Sequence, residues 1–212
     1  MSIAEKLLAI AKNEPKVFNA GKQAEQDRFW DSYQNNGNRT AYNFAFAGSC
    51  WKDETYNPKY PINATANANG IFVNVGITDT KVPINLGTTT SNKANMFQYA
   101  TGLVTIRELI WDSDLSFASQ FTGCTRLKNI TPNGTFTRDI NMQWCPLTLE
   151  SALSVVNHLY NYTGEDGQDT YTITLNSSVW ALLDAWVQEQ NFGELYSSAQ
   201  EWIQSEICWL TA

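Results

Sequence analysis

Histidine is almost missing from this 212-residue chain, since His158 is its only copy. Without a second histidine, a His-Glu-x-x-His or a Gly-x-Ser-x-Gly, a zinc site or histidine-based triad has no second anchor, so His158 reads as a satisfied histidine beside Leu159 in a predicted helix. Cysteine is sparse: Cys50, Cys124, Cys145 and Cys208 stand far apart with no CxxC and no Cys/His ligand spacing, which argues against a disulfide framework and for a reducing folding compartment. Basic residues stop early. All 14 Lys and Arg lie at or before Arg138, while nine acidic residues follow from Glu150 onward. A net charge of −7 distributed in this way lacks the basic face that nucleic acid requires, and serves solubility or a cation-bearing partner. No apolar run approaches the roughly 18 residues of a membrane span, so membrane insertion is not expected. The first apolar patch, Ile3 to Ala11, is interrupted by Glu5 and Lys6, so no signal segment is expected there either.

Aromatic residues, in contrast, are plentiful (Trp 8, Tyr 9, Phe 10), and a chain of this length with normal apolar content holds a substantial core. Near the middle one pattern is written twice, every position displaced by the same interval: Phe97-x-x-Ala100-Thr101-x-Leu103-x-x-Ile106, then Phe121-x-x-Cys124-Thr125-x-Leu127-x-x-Ile130. Self-similarity at a period of roughly 20–30 residues marks a solenoid, because each unit buries its apolar row only against its neighbours. These eight apolar positions are the expected repeat core. Cys124 stands where the other copy has Ala100, which reads as a small buried thiol. A weaker earlier copy starts at Phe72, with Val75 and Thr78 near the expected slots. A partial later one places Ile140 and Met142 after Leu115 and Phe117, which gives three to four coils with turns at Gly102, Gly123 and Gly134.

Four segments follow. Residues 1–36 form an N-terminal helical segment in which Ile3, Leu7, Ile10, Val17 and Ala24 keep heptad steps, with Pro15 as a break. Isoleucine on both seam positions favours three or more strands, so this segment is expected to trimerise or to attach the chain to a particle through residues 1–34. Residues 37–68 are an aromatic N-terminal cap with a strand-like Tyr42-x-Phe44-x-Phe46 and breaks at Pro58 and Pro61. Residues 69–147 are the solenoid. Residues 148–212 are an α/β C-terminal cap: a helix starting near Thr148 with a stripe of Leu149, Leu153, Val156, Leu159 and Tyr160; a strand through Tyr171, Ile173 and Leu175; a helix capped at Asn176 with Val179, Leu182, Leu183 and Trp186 on one face; and a short helix near Ser198 to Ser205. The predicted class is α+β.

Chemistry-bearing clusters are few. Asp112/Asp114 and Glu165/Asp166/Asp169 resemble paired carboxylates but sit in turn-forming text, where Asp serves the turn. No EF-hand loop follows Asp112, so neither metal nor cofactor is expected. Trp51, Tyr56, Tyr60 and Trp111 are either a sugar-stacking platform or cap and core, and cap and core is the preferred reading.

With these residues in view, the chain resembles BspA-like leucine-rich-repeat proteins of the type encoded by phages and prophages of gut Firmicutes. The resemblance rests on the repeat core Phe121-x-x-Cys124-Thr125-x-Leu127-x-x-Ile130, the opening Met1-Ser2-Ile3-Ala4-Glu5-Lys6-Leu7, the run Gly21-Lys22-Gln23-Ala24-Glu25 with Phe29-Trp30-Asp31, the exit Asn36-Gly37-Asn38-Arg39-Thr40 and Pro146-Leu147-Thr148. It implies a non-enzymatic virion or tail-associated protein, assembled in the bacterial host cytoplasm. Its leucine-rich-repeat-like module would face a host cell-surface protein or glycan, and its partners would be itself or other virion proteins. The alternatives are a stand-alone adhesin-like module and, from the residues alone, a carbohydrate-active enzyme using Asp112 or Asp114.

Overall fold

Four phenylalanines, Phe46, Phe72, Phe97 and Phe121, lie ring upon ring: centroids are 5.2, 5.5 and 5.6 Å apart and interplanar angles 16°, 4° and 6°. This geometry comes from a computed structural model that describes residues 45–48, 51–54, 56–88, 93–112, 114–162, 171–190 and 195–212. All of them belong to one unit, Arg39–Ala212. The expected N-terminal helix with Ile3, Leu7, Ile10, Val17 and Ala24 lies outside the described residues, as do Tyr42, Phe44 and the carboxylates Glu165, Asp166 and Asp169.

The chain is mixed α/β, with two parallel sheets and three helices among the described residues. Strands β1 (Ile62–Asn63), β2 (Ile84–Asn85), β3 (Thr105–Ile110) and β4 (Asn129–Asn133) pair in chain order, with Ile62 opposite Ile84, Ile84 opposite Leu109 and Ile106 opposite Ile130. In β4 burial alternates with period two, Ile130 and Pro132 pointing inward. In β3 the inward residues Ile106 and Leu109 are three apart, and the register shifts between them. The extra residue is a bulge, which lets both isoleucine and leucine reach the core.

The segments between strands are irregular, yet their backbone is satisfied. Phe72 N–H donates to Met96 C=O (2.8 Å), Phe97 to Gln120 (3.1 Å) and Tyr99 to Thr122 (2.7 Å), so each turn bonds to the turn one unit later. Two residues past each stacked phenylalanine the backbone is left-handed: Gly48 (φ +94°), Asn74 (+53°), Tyr99 (+57°) and Gly123 (+74°). Phe46 N–H also donates to Ile71 C=O (2.9 Å), so the aromatic segment ahead of residue 62 supplies a rung of the same stack.

In the earlier copy Val75 keeps its expected slot, buried three residues after Phe72 as Ala100 is after Phe97, while the leucine slot is shifted by one residue. Val104 N–H donates to Thr78 C=O (2.8 Å) and Lys128 N–H to Val104 C=O (2.9 Å), which aligns Thr78, Val104 and Lys128. The buried Ile77 therefore takes the position of Leu103 and Leu127, while the side chain of Thr78 donates to Asp53 Oδ2 (2.7 Å). One residue fewer separates Phe72 from this slot, so a fixed-period reading misses it.

The second sheet holds β5 (Ile140–Met142), β6 (Thr172–Leu175) and β7 (Leu210–Thr211), all parallel. Ile140 meets Phe117 in a single pairing, and all three residues of β5, Ile140 included, pair with β6. Helices α1 (Leu149–Asn157), α2 (Ser177–Glu189) and α3 (Ala199–Ile207) each start from a side-chain cap: Thr148 accepts from Ser151 N–H, Asn176 from Ser178 N–H and Ser198 from Glu201 N–H. Helix α1 is shorter than its apolar stripe implied, because Leu159 leaves the helix to pair with Phe136. Its buried face is Ser151, Ala152, Val155 and Val156, turned so that Ser151 Oγ accepts the Ile130 N–H (3.1 Å) at the edge of β4. The demand of that sheet edge sets the rotation of the helix, and Leu149 and Leu153 are left half-buried. On α2 the buried residues are Val179, Trp180, Leu183 and Val187, with Leu182 exposed and Trp186 resting on Trp202 (5.4 Å).

Candidate functional site

Where the four-stranded sheet gives way to the three-stranded one, a groove of about 770 Å³ opens past the ends of β3 and β4. Trp111, directly after β3, is its floor. The indole is almost fully buried against Phe117 (5.0 Å) and Phe136 (4.7 Å), and its N–H donates to Thr135 C=O (3.1 Å). Gly134 makes this approach feasible: a Cβ there would lie 2.5 Å from Trp111 Cδ2, a distance no side chain tolerates.

One wall is an ion pair. Arg138 Nε donates to both oxygens of Asp114 (2.8 and 2.7 Å), Nη1 donates to Tyr171 Oη (2.7 Å), and the guanidinium lies 5.2 Å from the Tyr171 ring centre. Thr137 Oγ1 also donates to Asp114 (2.6 Å). The Arg138 hydrogen bonds, then that of Thr137, hold the Asp114 carboxyl below the usual carboxylate range against a smaller opposing effect of burial. A general acid needs the reverse, a raised pKa and a proton to give, so Asp114 is built as a fixed anion and not as a proton donor.

Tyrosines adjoin this pair. Tyr160 and Tyr162 meet edge to face at 4.8 Å, Tyr162 and Tyr171 lie 5.5 Å apart, and Tyr162 Oη donates to Thr137 C=O (2.9 Å). The C-terminus locks these tyrosines, because Trp209 Nε1 donates to Tyr160 C=O (2.8 Å) and Leu210 N–H to Tyr171 C=O (2.9 Å). Asp112 sits exposed at the rim, its N–H donating to Gly87 C=O (3.1 Å).

Of the four aromatics weighed from sequence as a sugar platform, only Trp111 lines this groove. Tyr56 is fully buried and its hydroxyl donates to Thr80 C=O (2.9 Å), Trp51 packs on Phe46 (5.7 Å), and Tyr60 is 57% exposed elsewhere. Tyr160, Tyr162, Tyr171 and Arg138 were missed as site residues. A signal for Arg138 was present, since the interval from Asp114 to Arg138 equals that from Phe97 to Phe121.

The eight repeat-core residues Phe97, Ala100, Leu103, Ile106, Phe121, Cys124, Leu127 and Ile130 are all buried, and of them Ile106 and Ile130 border a second depression, beside Arg107 and Glu150. The Cys124 S–H donates to Phe97 C=O (3.0 Å), and burial pushes its thiol up to about 12. Cys145, also buried, is raised by burial and then by the nearby Cys124. Such thiols are poor nucleophiles at neutral pH. His158 Nδ1 lies 2.6 Å from Ser154 C=O, a local helix-end contact. Among the described residues no group of three His, Cys, Asp or Glu side chains is placed to hold a metal ion, and no helix is long and apolar enough to cross a membrane.

Compared with family models, curated proteins and solved structures, the chain matches none.

Proposed function

We propose that this chain is a non-enzymatic binding module, a short leucine-rich-repeat-like solenoid closed by an α/β cap and carried on a phage virion or tail for host-surface recognition. The observation that carries the repeat reading is the stack of Phe46, Phe72, Phe97 and Phe121, one ring in each unit, joined by parallel pairing and by turn-to-turn backbone bonds. A ladder of identical side chains with neighbour-only contacts is the physical content of a solenoid. The virion assignment is supported by the resemblance of the repeat core and of the Met1 to Leu7 opening. In this reading residues 1–34 attach or trimerise the chain through Ile3, Leu7, Ile10, Val17 and Ala24. The engaged Asp114 carboxylate favours binding over hydrolysis.

Mass spectrometry of purified particles from a producing host tests the assignment. Peptides of this chain in stoichiometric amount are expected. Their absence from the particles, with the protein present in the lysate, sinks the virion reading and leaves the stand-alone adhesin-like module. Sedimentation of the full chain beside a variant lacking residues 1–34 tests the trimer: the full chain is expected as a trimer and the truncated one as a folded monomer.

A further inference from the structure

We propose that the groove between the two sheets binds a neutral oligosaccharide, one pyranose ring stacked on the Tyr160 side and its hydroxyls donating to Asp112 and Asn133. The inference deepens the binding-module reading and rests on it only for biological role.

Three observations select the ligand. First, the groove holds acceptors that no described group satisfies, beside donors that are only partly engaged. All three nitrogens of Arg138 bond to Asp114 or Tyr171, the Tyr162 hydroxyl donates to Thr137 C=O, the Trp111 N–H to Thr135 C=O, and Asn133 Nδ2 to Glu108 Oε1 (2.7 Å). Left over as acceptors are Asn133 Oδ1 and the Asp112 carboxylate, which makes no hydrogen bond to another described residue. A ligand must bring donors to them, as a polyhydroxylated one does. Second, tyrosine rings share the groove with these acceptors, and Tyr160 is 39% exposed. An apolar ring face beside polar acceptors matches a pyranose, which presents C–H bonds on its face and hydroxyls around its edge. Third, the lining carries Asp112, Asp114 and Arg138, a balance of one negative charge, so an anionic sugar is repelled. The volume of about 770 Å³ lies in the range of small-ligand sites and admits two or three sugar rings.

The test titrates the full-length chain by calorimetry with cellotriose, maltotriose, mannotriose and chitotriose, with trigalacturonate and trilysine as charged probes. Saturable binding of at least one neutral trisaccharide is expected, with neither charged probe binding more tightly. Tyr160→Ala is expected to weaken that binding about tenfold, the loss of one stacked ring, and Asp112→Asn about threefold, whereas Tyr60→Ala, exposed but outside the groove, leaves it unchanged. Asp112→Asn is exposed and nearly isosteric, so it reports on the site even where Tyr160→Ala disturbs the fold. Silence of all four neutral sugars up to about 10 mM overturns the proposal, since that limit corresponds to only a few kcal/mol. Tighter binding of trigalacturonate or of trilysine overturns it, the latter pointing to a basic peptide instead. So does sugar binding that neither Tyr160→Ala nor Asp112→Asn weakens. Sugar binding by a chain that is absent from particles separates the two claims, since the virion assignment then fails alone.

Discussion

Residues from Phe46 to Asn133 and those from Ile140 to Ala212 reach stability by different routes. In the first region an aromatic ring meets its own earlier copy, nearly parallel and 5.2 to 5.6 Å away, and each turn donates its backbone bonds to the turn of the next unit. In the second region rings from unlike elements meet at an angle, as Tyr162 meets Trp209 at 42° and Trp186 meets Trp202 at 49°, and each helix begins with its own capping side chain. The first region is specified by resemblance between neighbours and the second by local codes. Damage to a rung therefore loosens the units on both sides, while damage to a cap stays within one element.

That contrast is broken most directly at the middle of the stack. Phe97→Ala removes a ring with partners on both faces and is expected to cost about 3–5 kcal/mol, with Leu127→Ala close behind at about 2–5 kcal/mol. In urea unfolding, both are expected to exceed Trp186→Ala in the C-terminal region, where the indole is only half-buried. A Phe97→Ala variant that unfolds at the wild-type midpoint ends the neighbour-stacking account.

The junction between the regions is held by Ser151, whose Oγ accepts the Ile130 N–H at the last strand of the first sheet. Ser151→Ala leaves a buried donor without its acceptor and is expected to cost about 1–3 kcal/mol. Hydrogen exchange at the Ile130 amide checks the cause: it is expected to accelerate more than exchange at Ile106.

What was legible follows the same division. Phe97 and Phe121 head two copies of equal length, so one fixed offset exposes them, and alternation at Ile173 and Leu175 exposes β6. The rung at Phe72 was blurred, because one residue fewer precedes Ile77 and the slot there falls out of phase. Phe46 was missed as a rung altogether, since the interval from Phe46 to Phe72 is longer than that from Phe97 to Phe121 and no Leu-slot partner follows it. On α1 the apolar stripe named Val156, which is buried, together with Leu149 and Leu153, which are half-buried, because the buried face is turned toward the Ile130 N–H at a sheet edge, a tertiary demand with no trace in helical period. The groove was the least legible. Asp112 and Asp114 read as a carboxylate pair and Trp111 as core, but Tyr160 and Tyr162 join Arg138 through the pairing of Leu159 with Phe136, and Tyr171 through that of β5 with β6, contacts between segments distant in the chain.

Alkaline titration reports on the buried thiols Cys124 and Cys145, and a Cys124 variant separates the first. The fold raises Cys124 from 9.0 to about 12 by burial, so the neutral thiol is favoured in the folded state. The stability it confers is fully present below about pH 9 and declines as pH rises toward 12, because the unfolded chain releases the proton first. Cys124→Ala, which copies Ala100, is expected to flatten the loss of stability over that window. Melting curves of both proteins at pH 8 and 10.5 check this, and an equal loss in both refutes it.

The smallest expected effect lies in the left-handed column, where Tyr99 is the odd member. Its neighbours in the stack are Gly48, Asn74 and Gly123, residues that adopt positive φ at low cost, whereas a tyrosine at φ +57° is strained. Tyr99→Asn copies Asn74 and relieves part of that strain while losing little packing, because Tyr99 is half exposed. A gain of about 0.5 kcal/mol is expected. Gly123→Ala acts in the opposite direction. Its backbone is at φ +74°, and the added Cβ would lie 2.6 Å from Tyr99 Cδ1, so conformation and contact both oppose it. Only the contact depends on the tyrosine ring. In the double variant Tyr99→Asn with Gly123→Ala, the cost of the alanine is therefore expected to shrink without vanishing, a favourable coupling of about 0.5 kcal/mol or more between adjacent rungs. Strict additivity in denaturant unfolding would show that neighbouring units do not sense each other at this column.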